Sequence, residues 1–265
     1  MDQKVRVHTI IFTEACPLAC RYCDLKNDPC FDNGSPCMTK EQIFYLIDEF
    51  DKKDDENKYI SRLLFSGGEP LLYWDWIKEI IEKYQNRFQY AFNTSGYLLT
   101  PEMIEFLSHY QVNFVLSVDG DEKLTNYLRP VNAAKYKTGY FKQLKTILPD
   151  LLFYFPETPF RIIVNPRYVD LLHKMYLEAD KLGFKYFSFI LDFESRPNRK
   201  IPKEKTIIYW EEKYSKILEE QFNLILNDII VGFSTGVNKP QVVEMNSVLS
   251  YLFNKTKFDP DLLPC

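Results

Sequence analysis

No stretch of this 265-residue chain approaches the roughly 18 consecutive apolar residues that a membrane-spanning helix needs. No hydrophobic region follows Met1-Asp2-Gln3-Lys4 either, so no export signal is expected and the cytoplasm is the expected compartment. Neither sign of charge dominates: 33 Lys and Arg against 37 Asp and Glu leave a formal net charge of −4. Without a cationic field nothing holds a nucleic-acid backbone nonspecifically, so neither DNA nor a membrane is an expected partner. Six cysteines are too few for a disulfide scaffold of this size. The three histidines, His8, His109 and His173, show no ligand spacing and read as structural. What remains, 46% apolar and 26% charged residues, is the composition of an ordinary globular protein. Disorder and collagen-like repeats are thereby excluded, and the length allows one large domain or two small ones.

Along the chain, β-branched and aromatic runs alternate with amphipathic segments. Val5 to Phe12 predicts a first strand, followed by a long polar loop over residues 13–37. Thr39 and Gln42 form a capping box that opens a helix, with Ile43, Leu46, Ile47 and Phe50 on its apolar face. The charged run Asp51 to Lys58 reads as a solvated link. Further strands are expected at Ile60–Phe65, Phe88–Phe92, Val112–Val118, Phe160–Val164 and Phe184–Leu191. Helices are expected at Trp74–Tyr84, from Pro101, near Tyr140–Leu148, at Tyr168–Leu182 ended by Gly183, and from about Lys203 to Asn227. Six strand–helix alternations predict an α/β fold, a partial (β/α)6 TIM-like barrel with a C-terminal helical or irregular extension. The core is placed at residues 1–195 and the extension, packed on it, at 196–265. In such a fold the loops after the strands gather on one rim and carry the chemistry.

Five of the six cysteines, Cys16, Cys20, Cys23, Cys30 and Cys37, fall within 22 residues of that first loop. Cys16, Cys20 and Cys23 are spaced C-x3-C-x2-C, and three thiolates on so tight a loop suit a metal better than a disulfide. Two readings are open. A structural zinc site needs four protein ligands and would recruit Cys30, Cys37 or His8. An iron–sulfur cubane held by three cysteines leaves one iron open, as a catalytic cluster requires.

The spacing resembles the signature of the radical S-adenosylmethionine (SAM) enzymes. That resemblance implies that Cys16, Cys20 and Cys23 ligate a [4Fe-4S] cluster whose fourth iron is chelated by SAM, with Tyr22 near the adenine. Gly67-Gly68-Glu69-Pro70, about 44 residues on (67 − 23), resembles the family's second hallmark, which binds the SAM amino group. Asn93-Thr94-Ser95-Gly96 resembles the family's N-T-N-G segment; Ser95 departs from it, so only Asn93 is carried over as a SAM contact. Ser117-Val118-Asp119-Gly120 resembles the S-x-D-G segment whose serine approaches the ribose, and the following Arg129 resembles the arginine that pairs with the SAM carboxylate. Asn165, at the end of the fifth strand, is either a further cofactor contact or the opening of an Asn-Pro turn.

The S-V-D-G and Arg-Pro features most resemble the peptide- and protein-modifying branch, related to enzymes with SPASM or twitch extensions. The chain departs from those in offering only Cys265 after the barrel, so Cys30, Cys37 and Cys265 cannot supply four thiolates for a second cubane. The resemblance implies a flavodoxin- or ferredoxin-type reductant and reductive cleavage of SAM. The 5′-deoxyadenosyl radical so formed would abstract hydrogen from a peptide, protein or small-molecule substrate. A nucleoside or other small-molecule enzyme and a glycyl-radical activating enzyme are alternatives, and a noncatalytic metal-binding protein is the remote one.

Overall fold

The computed structural model describes residues 5–23, 36–57, 59–132, 135–191 and 212–244. They form two compact units, Met1–Ser117 with Asn126–Phe155, and Val118–Thr125 with Pro156–Cys265.

In the first unit, four strands pair in parallel and in chain order: β1 (Val5–Ile11), β2 (Ile60–Ser66), β3 (Gln89–Thr94) and β4 (Val112–Ser117). Parallel pairing requires a crossover after each strand, and the amphipathic helices supply it. These are α1 (Lys40–Asn57), α2 (Trp74–Tyr84) and α3 (Pro101–Ser108), followed after β4 by α4 (Glu122–Leu128) and α5 (Tyr140–Tyr154). Alternate residues of the strands, Leu63, Phe65, Tyr90, Phe92, Phe114 and Leu116, are buried with Ile43, Ile47, Ile77, Ile80, Ile104 and Leu144 of the helices. Phe65, Phe92 and Phe114 occupy neighbouring register positions, and their rings stand 5.1 and 5.2 Å apart in succession. Such pairs add about 0.5–1.5 kcal/mol each beyond the area they bury.

The second unit carries β5 (Pro159–Val164), β6 (Tyr186–Leu191) and the short β7 (Gln241–Val242), again parallel. Phe160, Phe187, Leu172, Met175 and Tyr176 form its core with α6 (Leu172–Lys181). The helix α7 (Glu212–Thr235) is tied to α6 by His173, whose Nε2 lies 2.7 Å from an Asp228 carboxylate oxygen.

The α/β class and the six expected strands hold, and several boundaries move. The charged run after Phe50 is helix, not a link: α1 continues to Asn57, and at the head of that run Asp51 pairs with Arg87 and Lys52 with Glu49. The expected start of α6 at Tyr168 is a 3₁₀ turn (Pro166–Leu171), and the helix itself begins at Leu172. Pro166 has no N–H to donate, and Asn165 caps the tighter turn instead. α5 runs through Pro149 to Tyr154, held by buried Leu144, Leu148 and Leu151 on one face. α4 and β7 were not expected. The last helix ends at Thr235 rather than Asn227, and its expected start at Lys203 lies outside the described residues, as do Cys30 and Cys265.

Candidate functional site

Each strand of the first unit delivers a loop at its carboxyl end, and most of the residues singled out above sit on those loops or in the last residues of the strands that lead into them. After β1, the chain turns at Thr13, whose hydroxyl accepts the Ala15 N–H at 3.1 Å. The Leu18 N–H points at the Cys16 sulfur, 3.4 Å away, and the Cys23 N–H donates to the Cys20 carbonyl at 3.3 Å. The far end of the loop returns to its base, where the Cys37 N–H donates to the Phe12 carbonyl at 2.7 Å.

The cysteine loop is seated on Gly67 and Gly68. Their contact leaves no room for a side chain: a Cβ on Gly68 would lie 2.2 Å from the Ala15 carbonyl oxygen and 2.4 Å from that of Glu14. Gly67, at φ +112°, would meet the Thr13 oxygen at 2.6 Å. The approach is used for hydrogen bonds, Gly68 N–H to Thr13 at 2.8 Å and Glu69 N–H to Ala15 at 2.9 Å. Sequence reasoning found these glycines; their observed work is to dock the cysteine loop onto the end of β2.

Glu69 has no exposed surface. One carboxylate oxygen accepts from the Thr94 hydroxyl at 2.6 Å; the other accepts from the Ser95 hydroxyl at 2.5 Å and the Ser95 N–H at 3.1 Å. Burial pushes its proton affinity above the ordinary glutamate range, and the hydrogen bonds from Ser95 and Thr94 oppose that shift. Glu69 thus locks the loop after β2 to the loop after β3, and Pro70 opens the buried 3₁₀ turn Pro70–Tyr73 that follows. Ser95, the departure from N-T-N-G, is one half of that lock. Tyr140, which carried no sequence signal, joins the loops after β3 and β4, with its hydroxyl 2.7 Å from the Ser95 carbonyl and also against that of Ser117.

A fourth segment closes over the cysteines. Residues 127–132 run antiparallel to residues 17–21: Ala19 and Arg21 donate to the carbonyls of Pro130 (2.6 Å) and Leu128 (2.8 Å), and Asn132 donates to Pro17 at 2.8 Å. Leu18 bridges Val131 in the same ladder. Arg21 adds a side-chain bond to the Tyr127 carbonyl at 2.7 Å. Arg129 projects from this segment, nearly buried, with its guanidinium 5.3 Å above the Tyr22 ring and one nitrogen 4.0 Å from the Cys20 sulfur.

Cys16, Cys20 and Cys23 form no disulfide. Burial pushes the Cys16 thiol up, and the charge of Glu69, then those of Cys20 and Cys23, add to the effect. Three thiols on one short loop, beside a buried acid, are a donor set suited to a cation. Asn93 contributes a buried side-chain amide oxygen with no hydrogen-bond partner in the structure. Among the described residues, no set of three or more His, Cys, Asp or Glu side chains is already gathered around one point. His8 does not complete a zinc site: its ring is stacked 3.8 Å from that of Phe50, and Nε2 lies 2.9 Å from the Ser61 hydroxyl.

Two further expected contacts belong to the second unit and have local work there. Asp119, fully buried, accepts the Ile163 N–H at 3.4 Å. Asn165 accepts the Arg167 N–H at 2.9 Å through its side-chain oxygen, which is the Asn-Pro turn.

Residues 10–148, more than half of the chain, match the Radical SAM superfamily, and the chain belongs to that superfamily. It is an enzyme whose cofactors are those that define the family, SAM and a [4Fe-4S] cluster. The chain is 22% identical over 184 residues to the radical SAM cyclopropyl synthase TigE of Paramaledivibacter caminithermalis, covering 58% of this chain and 38% of that protein. It is 31% identical over 140 residues to 7-carboxy-7-deazaguanine synthase of Methanocaldococcus jannaschii, covering 50% of this chain and 53% of that one. The solved structure of native anSMEcpe with bound AdoMet and Cp18Cys peptide superimposes with a TM-score of 0.71 at 19% identity, over 96% of this chain and 67% of that one. That likeness shows the fold expected from the alternation of strands and helices. The chain thus spans well under two thirds of the length of both curated relatives.

Proposed function

We propose that this chain is a radical SAM enzyme acting on a peptide or protein, with the cluster held by Cys16, Cys20 and Cys23. The observation that carries the site is the start of the cysteine loop itself, whose backbone at residues 13–15 is docked on Gly67-Gly68 and whose residues 17–21 are paired with residues 127–132. When bound, the cluster supplies the electron that cleaves SAM to methionine and a 5′-deoxyadenosyl radical. This chain's residues hold and orient. By the family resemblance, Gly67 to Pro70 and Asn93 would meet the amino acid part of SAM, Tyr22 and Ser117 the nucleoside, and Arg129 the carboxylate. Asp119 and Asn165 are proposed as SAM contacts on the family resemblance alone. The Glu69–Ser95 lock keeps the loops after β2 and β3 in register, so the polar atoms are aligned before any ligand arrives. A flavodoxin- or ferredoxin-type protein is the proposed electron donor, and cysteines that form no disulfide suit a reducing compartment such as the cytoplasm. Among the described residues, no helix is long and apolar enough to cross a membrane.

The peptide reading is supported by the S-V-D-G and Arg-Pro features and by the likeness to a structure that contains a bound peptide. A second reading, a small nucleoside-like substrate, is supported by the identity to a deazaguanine synthase. Anaerobic reconstitution with iron and sulfide, followed by dithionite and SAM, tests the class. About four irons per chain with 5′-deoxyadenosine formed is expected; retained zinc with SAM neither bound nor cleaved would overturn it. A synthetic peptide library against a nucleoside panel then tests the substrate. Peptides should stimulate 5′-deoxyadenosine formation and change mass, whereas nucleosides consumed with every peptide unchanged would establish the second reading.

A further inference from the structure

We infer that Arg129 is a positioning residue for the iron–sulfur cluster, facing the Cys20 thiolate and raising the reduction potential of the cluster even when SAM is absent. The inference rests on the assignment of Cys16, Cys20 and Cys23 as cluster ligands. It begins with the backbone. The bridge Leu18–Val131 and the hydrogen bonds of Ala19 with Pro130, Arg21 with Leu128 and Asn132 with Pro17 share one antiparallel register. That register places Cys20 directly opposite Arg129. Residues so paired have neighbouring Cβ atoms, about 5 Å apart, so contact between their side chains is built into the ladder. The side chains follow: one guanidinium nitrogen lies 4.0 Å from the Cys20 sulfur while the rest of the group covers the Tyr22 ring. Only 6% of Arg129 is exposed, so water screens the charge little.

A guanidinium keeps its charge at all accessible pH and offers five donors. Reduction adds negative charge to a cluster, and a fixed cation or N–H donor beside a ligating sulfur favours the reduced state. A role confined to the carboxylate of SAM would leave the SAM-free cluster indifferent to Arg129. The ladder predicts the opposite.

The test uses the full chain with its cluster reconstituted, as wild type, Arg129→Gln and Arg129→Lys. Each is titrated with redox dyes without SAM and read by the EPR signal of the reduced cluster; SAM binding is measured separately. Arg129→Gln is expected to lower the ratio of reduced to oxidised cluster at least tenfold at a fixed potential, a fall of about 59 mV for one electron. Arg129→Lys, which keeps the charge, should recover most of it. An unchanged midpoint in Arg129→Gln, with SAM affinity alone reduced, would overturn the inference. Should Arg129→Gln take up no iron, the lysine variant decides. Full loading with a midpoint near wild type supports the role, and loss of the cluster there too shows Arg129 to be a loop-folding residue, which overturns it. A wild-type chain that itself binds no iron would instead remove the cluster assignment.

Discussion

Glu69 is an acid buried among hydroxyl donors, and its removal should separate folding from chemistry. Ser95→Ala deletes the shorter of its hydroxyl bonds, and a hydrogen bond to a charged group contributes about 1.5–3 kcal/mol. A fall of that size in urea-derived stability, with an unchanged denaturant slope, is expected for the cluster-free protein. The pH dependence of Glu69 has a definite sign. Because burial raises its proton affinity above the ordinary value of 4.5, the folded chain binds that proton more tightly than the unfolded one. Its contribution is fully present below about pH 4.5 and is lost as pH rises through the raised value. Wild-type stability relative to Glu69→Gln should therefore decline from pH 4.5 toward neutrality; urea midpoints of the two that stay parallel across that range would contradict the burial argument. At Gly68 the prediction is steric. An added methyl meets backbone oxygens, which cannot rotate aside, so Gly68→Ala should keep its far-UV circular dichroism and lose iron uptake.

At the scale of elements, α1 and α2 are joined at their polar edges. Asp48 accepts from the Tyr84 hydroxyl at 2.6 Å and from Lys83 at 2.9 Å, and these bonds hold its carboxyl below the ordinary value of 3.8. A depressed carboxyl stabilises the fold above its unfolded value and loses that effect as pH falls through the folded one. Asp48→Asn should cost only about 0.5 kcal/mol at pH 7, since the pair is solvent-exposed, and should match wild type only in acid below the depressed folded value. Thermal melts at the two pH values read the difference directly. The aromatic row between strands is another matter: Phe92 is fully buried, and Phe92→Ala should cost about 3–5 kcal/mol. The charged tail of α1 shows how element boundaries escape a sequence reading. Its residues carry no apolar stripe, and the ion pair at its head, Asp51 with Arg87, reaches 36 positions along the chain.

For the molecule as a whole, a cofactor that binds only the folded chain must stabilise it. SAM at a hundredfold excess over its dissociation constant adds about 2.7 kcal/mol. Calorimetry of the cluster-loaded protein under anaerobic conditions should show the midpoint rising with SAM concentration, and a midpoint independent of SAM would count against a seat in the folded chain.

Hydrophobic period and thiol spacing are local properties, so the sequence by itself determined the α/β alternation, the loop that bears the cysteines and the capping box at Thr39 and Gln42, whose two bonds are present. Which polar groups satisfy one another is not local. Glu69 and Ser95 lie 26 positions apart, Tyr140 and Ser95 45, and Arg129 and Cys20 109. Only the packing of strands and loops brings them within hydrogen-bond reach, because a buried polar atom takes whichever partner the fold presents to it.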